Sequence, residues 1–230
     1  MENQTSNTAQ ANQKSSAVSP LEAALVITAT FFLAIIIGAV LLLTVGTGPA
    51  LVIGELIILI VPLSYLLMKR INIKNYIGIS LKPKFFLLGL ALGVALLFLN
   101  IIVSGALTAI FGVSQAVEDS NSLLASLSAS TPGLIAVVAS LALAGVCEEF
   151  AFRGFLQNAL ARRYSFVPAV IVSSAVFGLF HFDPQLVYII AAMASGLVLG
   201  YINYRWNYVA CATAHSTMNL IVLALLMLGL

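Results

Sequence analysis

Charged residues make up only 8% of this 230-residue chain, with ten Lys and Arg against eight Asp and Glu. A soluble domain carries about 25% charged residues, so a water-facing globular fold is excluded. A net charge of +2 spread over so apolar a chain offers no basic patch, which leaves nucleic-acid binding without support. Cysteine is nearly absent: Cys147 and Cys211 both lie in apolar stretches, and two such residues imply neither a disulfide framework nor a zinc ribbon. The redox compartment stays open. The sequence has no G-x-S-x-G elbow and no H-E-x-x-H, so neither a serine triad nor a zincin is indicated. No internal repeat is evident.

What the chain does have is hydrophobic length. At 61% hydrophobic residues and a mean hydropathy of +1.10, it reads as a polytopic membrane protein. Residues 1–20 are polar, rich in Ser, Thr, Asn and Gln, and are expected to form a disordered tail. The apolar run that starts at Leu21 is too long for a cleaved signal and reads as a retained first span. Crossing about 30 Å of hydrocarbon takes roughly 20 helical residues. Seven runs approach that length: 21–45, 50–68, 85–112, 133–162, 166–182, 185–204 and 207–229. The expected fold is all-α, a single bundle of about seven transmembrane helices over residues 21–230. Span 85–112 is overlong and 166–182 is short enough to stop part-way.

Loop 69–84 holds five of the ten basic residues and is expected in the cytoplasm. Threading the spans from it puts Lys14, Arg162, Arg163 and Arg205 inside too, and loops 46–49, 113–132 and 182–185, which lack Lys and Arg, outside. The expectation is a multi-pass protein of the plasma membrane with a cytoplasmic N-terminus and an external C-terminus.

Within the fourth span, Glu148, Glu149 and Arg153 occur in EEFAFR, where hydrocarbon makes ionised groups costly. Residues four apart share a helix face, so Glu149 and Arg153 form an ion pair. Glu148, turned about 100° away, has no such partner and can exchange protons. Both acids acting only as helix-to-helix struts is the plainer reading, and the surplus charge weighs against it. The only histidines also lie in spans, His181 at the end of FGLFH and His215 at the start of HSTMN, with Asn219 one turn beyond His215. Counted from a turn near Tyr164, Glu148 and His181 fall at one depth, about 21 to 22 Å along their helices. His215 joins them if the basic end of the fourth helix projects beyond the others. The cavity is then expected nearer the cytoplasmic face and open to it.

Acid, imidazoles and amide at one level suit peptide hydrolysis: Glu148 takes the proton of an attacking water, and His215 and Asn219 stabilise the oxyanion. His181 positions the water or Glu148. A thiol nucleophile, Cys147 or Cys211, is a minor alternative. Other polar residues read more plainly: Glu55 as a water-reached carboxylate, Asn100 as an interhelical hydrogen bond, Gly196 and Gly200 as a close-approach pair.

The three motifs EExxxR, FxxxH and HxxxN, in this order on successive spans, resemble those of the CPBP family of intramembrane proteases, also called Abi, which includes the CAAX prenyl endopeptidases. They read here as Glu148, Glu149 and Arg153; Phe177 and His181; and His215 and Asn219, within residues 133–225. The resemblance implies an intramembrane endopeptidase acting on a peptide or membrane-associated protein in the bilayer. It implies no favoured cofactor; zinc held by Glu148, His181 and His215 is the metal-assisted alternative. Two other classes remain open: a non-catalytic scaffold or bacteriocin self-immunity protein, and a proton-coupled transporter.

Overall fold

The computed structural model describes residues 18–229, so nearly all of the expected polar tail lies outside the described residues. Seven long apolar helices form the bundle: α1 Pro20–Thr44, α2 Thr47–Met68, α4 Pro83–Phe111, α6 Thr131–Glu149 with its continuation, α8 Phe166–Phe180, α9 Val187–Arg205 and α10 Tyr208–Met227. Six are long and apolar enough to cross a membrane. The exception, α8, ends early, and His181 closes it. This is an integral, multi-pass helical membrane protein. Two short helices, α3 Ile73–Ile77 and α5 Gln115–Ser128, complete it.

Local sequence explains where the helices start. Ser19 and Glu22 make a reciprocal capping box ahead of α1, with Pro20 in its first turn. Ser130 caps α6 through the Gly133 amide, and Asn207 caps α10 through the Ala210 amide. Glu22 pairs with Lys69 at the end of α2, which fixes α1 and α2 as an antiparallel hairpin. The residues of the basic loop meet at this same end: Asn158 donates to the Tyr76 carbonyl and Asn207 to the Ser80 carbonyl, and the Arg162 guanidinium lies 4.4 Å from the Tyr76 ring.

Close helix contacts rest on glycine. Gly89 and Gly93 of α4 face Thr213 and Thr217 of α10, where an added Cβ would stand 2.5 and 2.6 Å from the threonine Cβ atoms. Gly196 and Gly200 of α9 serve the same purpose against Ser174 and Val170 of α8. Asn100 donates to Ser195 Oγ at 3.3 Å, the expected bond between helices.

Two features depart from the sequence reading. The stretch expected as an outer loop, 113–132, contains α5, capped by Ser114 through the Val117 amide. It is too polar and short to register as a span, yet Val117, Asn121 and Leu124 turn one side of it toward the bundle. Its start is clasped to the loop after α8, since Gln185 accepts from the Gln115 amide and donates to the Val113 carbonyl. The second feature is that α6 continues as a π-helix, Phe150–Gln157, before α7, Asn158–Tyr164. Every residue of that π segment is buried.

Candidate active site

The site is built where α6 passes into the π segment. Glu149 is fully covered, and each of its oxygens is occupied. Oε1 accepts from Arg153 Nη1 at 3.0 Å and from His215 Nδ1 at 2.9 Å. Oε2 lies 2.9 Å from Cys211 Sγ, whose thiol is also 3.1 Å from the Leu199 carbonyl. Arg153, likewise fully covered, donates a second bond to the Gly196 carbonyl at 3.1 Å and rests 4.2 Å from the Phe177 ring. One turn further along the π segment, Gln157 donates to the Gly200 carbonyl and accepts from Ser173. The two α9 glycines thus permit close packing and also present the carbonyls that hold Arg153 and Gln157.

Glu148 is placed differently. Its side chain keeps 14% of its surface accessible and lies 3.9 Å from His215 Nε2, longer than a hydrogen bond. The two acids therefore divide as their helix angles predict, one enclosed by partners and one facing open space.

Both histidines have a fixed inner nitrogen. His181 Nδ1 is 2.9 Å from the Phe177 carbonyl, which only accepts, so that nitrogen carries the proton and Nε2 is free. His215 Nδ1 likewise points to the Glu149 carboxylate, leaving Nε2 on the Glu148 side. The Phe177 ring touches both imidazoles edge-on, at 4.7 Å from His181 and 5.8 Å from His215. Tyr188 of α9 meets His181 at 4.9 Å. Asn219 lies one turn beyond His215 on α10 and is half-buried. The structure thus gathers Glu148, Glu149, Arg153 and His215 directly, joins His181 to them through Phe177, and sets Asn219 next along the wall.

Hydrogen bonds from the inner imidazole nitrogens to a carbonyl and a carboxylate are of the kind that support metal-bound histidines. Among the described residues no three His, Cys, Asp or Glu side chains converge on one point. On the basic side of Glu149 the π segment carries the buried rings of Phe150, Phe152 and Phe155. On the other side the neighbouring residues are half-buried and polar, Glu55, Tyr188 and Asn219 among them.

Sequence reasoning missed three contributors. Cys211 sits one turn before His215, and that spacing puts it on the Glu149 face. Tyr188 had no signal beyond its place after His181. Glu55 was visible as an acid inside a span, and its position in α2 was read as water-reached; the structure covers its Oε2 and gives it no hydrogen-bond partner.

Fold and site together define a polytopic helical membrane protein with an ionisable cluster buried at mid-bundle. Residues 129–221, less than half of the chain, match the family described as Type II CAAX prenyl endopeptidase Rce1-like. The segment that carries all three motifs is therefore similar to that family, in keeping with the resemblance to the CPBP proteases. No curated protein and no solved structure matches the chain.

Proposed function

We propose that the protein is an intramembrane endopeptidase that hydrolyses a peptide bond of a membrane-associated peptide or protein. The observation that carries this is the contrast between two adjacent acids: Glu149 is bound by Arg153, His215 and Cys211, whereas Glu148 is accessible and stands beside a free imidazole nitrogen. Glu148 takes a proton from water as the oxygen attacks the carbonyl carbon. Charge moves to the carbonyl oxygen, which receives hydrogen bonds from His215 Nε2 and the Asn219 amide. For His215 to donate there, both ring nitrogens must carry protons, and the Glu149 carboxylate opposite Nδ1 balances that charge. Glu148 then delivers its proton to the leaving nitrogen as the C–N bond breaks. His181, with Nδ1 tied to the Phe177 carbonyl, offers Nε2 to orient the water. In this reading no step runs through a metal. The basic end of the bundle is assigned to the cytoplasm of a cell with this protein in its plasma membrane, which places the C-terminal end of α10 outside.

The test is cleavage of a peptide panel by purified protein in detergent, with and without a strong chelator. Cleavage that survives the chelator supports this mechanism; cleavage abolished by it and restored by zinc overturns the metal-independent step, and no cleavage of any membrane peptide overturns the enzyme reading.

A further inference from the structure

Glu55 is the one acid near the site that the mechanism leaves unused. Its height follows from two contacts between parallel neighbours. An added Cβ on Gly48 would lie 3.2 Å from Ala136 Cβ, and Tyr65 meets Phe155 edge-on at 6.0 Å. These contacts offset α2 from α6 and its continuation by about 88 to 90 positions, setting Glu55 level with Leu143 to Gly145, about one turn or roughly 5 Å from Glu148. The direction is away from the π segment. Asn219 lies the same way, because Ser216 bonds the Ala142 carbonyl and Asn219 comes next along α10. Glu55 is half-buried, and its covered Oε2 sets the carboxyl among the packed helices rather than on their outer surface.

Charge matching then singles it out. Glu148 and Glu149 are met by two basic side chains, Arg153 and His215. Glu55 has neither, and its Oε2 is covered without a hydrogen-bond partner. Among the described residues of this half of the chain, the cations fall at or after Lys69, at the far basic end, where Lys69 is engaged with Glu22. An ionised carboxyl in such a place is costly unless a partner supplies the opposite charge, so a bound cation is what would favour the carboxylate there.

We propose that Glu55 is a specificity-determining residue that receives a cationic group of the substrate, a Lys or Arg side chain or a free amine, about one turn from Glu148. This rests on the protease reading for its meaning as a specificity element, and its test uses binding so that the two can fail separately. Two membrane-soluble peptides that differ only in Lys against norleucine at a single position near the middle are titrated into purified protein, and the pair is scanned along the peptide. Glu148→Gln is used as background so that nothing is cleaved. At one position, Lys binds about tenfold more tightly than norleucine. Adding Glu55→Gln brings that ratio to near one with norleucine binding unchanged, and Glu55→Lys, if it folds, reverses the preference toward a Glu peptide. A Lys preference that persists in Glu55→Gln, or the lack of a preference at every position, overturns the assignment. A preference that depends on Glu55, together with no cleavage of the same peptides by the unmodified protein, retains the cation site and removes the protease reading.

Discussion

Arg153→Met probes the support beneath the proposed catalytic acid. The guanidinium is fully covered and engages Glu149 at 3.0 Å, the Gly196 carbonyl at 3.1 Å and the Phe177 ring at 4.2 Å. Removing one partner of a buried pair strands the other, at a cost of about 3 to 5 kcal/mol. His215 and Cys211 still reach Glu149, so a loss near the lower bound, about 3 kcal/mol, is expected. That is a large share of a total stability of about 5 to 15 kcal/mol. Neutralising the stranded acid as well, in Glu149→Gln with Arg153→Met, recovers stability to within about 1 to 2 kcal/mol of the unmodified protein. Arg153→Lys keeps the charge but not the fork that spans Glu149 and the Gly196 carbonyl, and falls between the two. Denaturant unfolding in mixed micelles, followed by tryptophan fluorescence from Trp206, gives the three differences. A single variant within about 1 kcal/mol of the unmodified protein, or a double variant less stable than Arg153→Met, would refute the stranded-charge reasoning.

Three further outcomes follow from the packing and the loops. Gly145→Ala places a Cβ 2.2 Å from Ser216 Oγ and 2.4 Å from its amide nitrogen, so α10 must shift next to His215; cleavage should fall about tenfold or more, alongside about 1 to 3 kcal/mol of stability. Gly93→Ala meets Thr217 Cβ at 2.6 Å and should lower the unfolding midpoint, whereas Gly105→Ala, with nothing within 4 Å, should leave it unchanged or slightly raised. Asp183, in the loop after α8, has opposing influences: burial works to raise its carboxyl, and hydrogen bonds from the Tyr188 and Gln185 amides overcome this and hold it below the ordinary range. Its contribution is therefore complete above the unfolded value of about 3.9 and is lost as pH falls through the lower folded value. Stability measured from about pH 5 to 2 should drop less steeply in Asp183→Asn than in the unmodified chain.

The sequence was most legible where hydrocarbon imposes a rule. Long apolar runs must be helices, and the glutamates of EEFAFR could be assigned different faces from a 100° turn alone. The Glu149 and Arg153 pair is readable in this way because it follows from helix periodicity, and at Asn100 and Gly196 the kind of contact is readable though not its partner. Contacts between helices distant in sequence were not. Nothing in α2 says that Glu55 turns toward α6, since that depends on the register set at Gly48 and Tyr65. The π segment escaped notice because nothing in FAFRGFLQ marks a wider turn, and the segment packs against α8 and α9, which helix periodicity does not reveal. The packing of Phe150, Phe152 and Phe155 beside the site is likewise a property of assembled helices.

The central claim is that Glu148 works while Glu149 supports. It is tested most directly by measuring cleavage rate and unfolding midpoint side by side in Glu148→Gln. The account predicts loss of cleavage by about a thousandfold or more with a midpoint equal to or above that of the unmodified protein, since an acid without a hydrogen-bond partner has been neutralised. Retained cleavage, or loss of cleavage only in step with loss of folding, would contradict it.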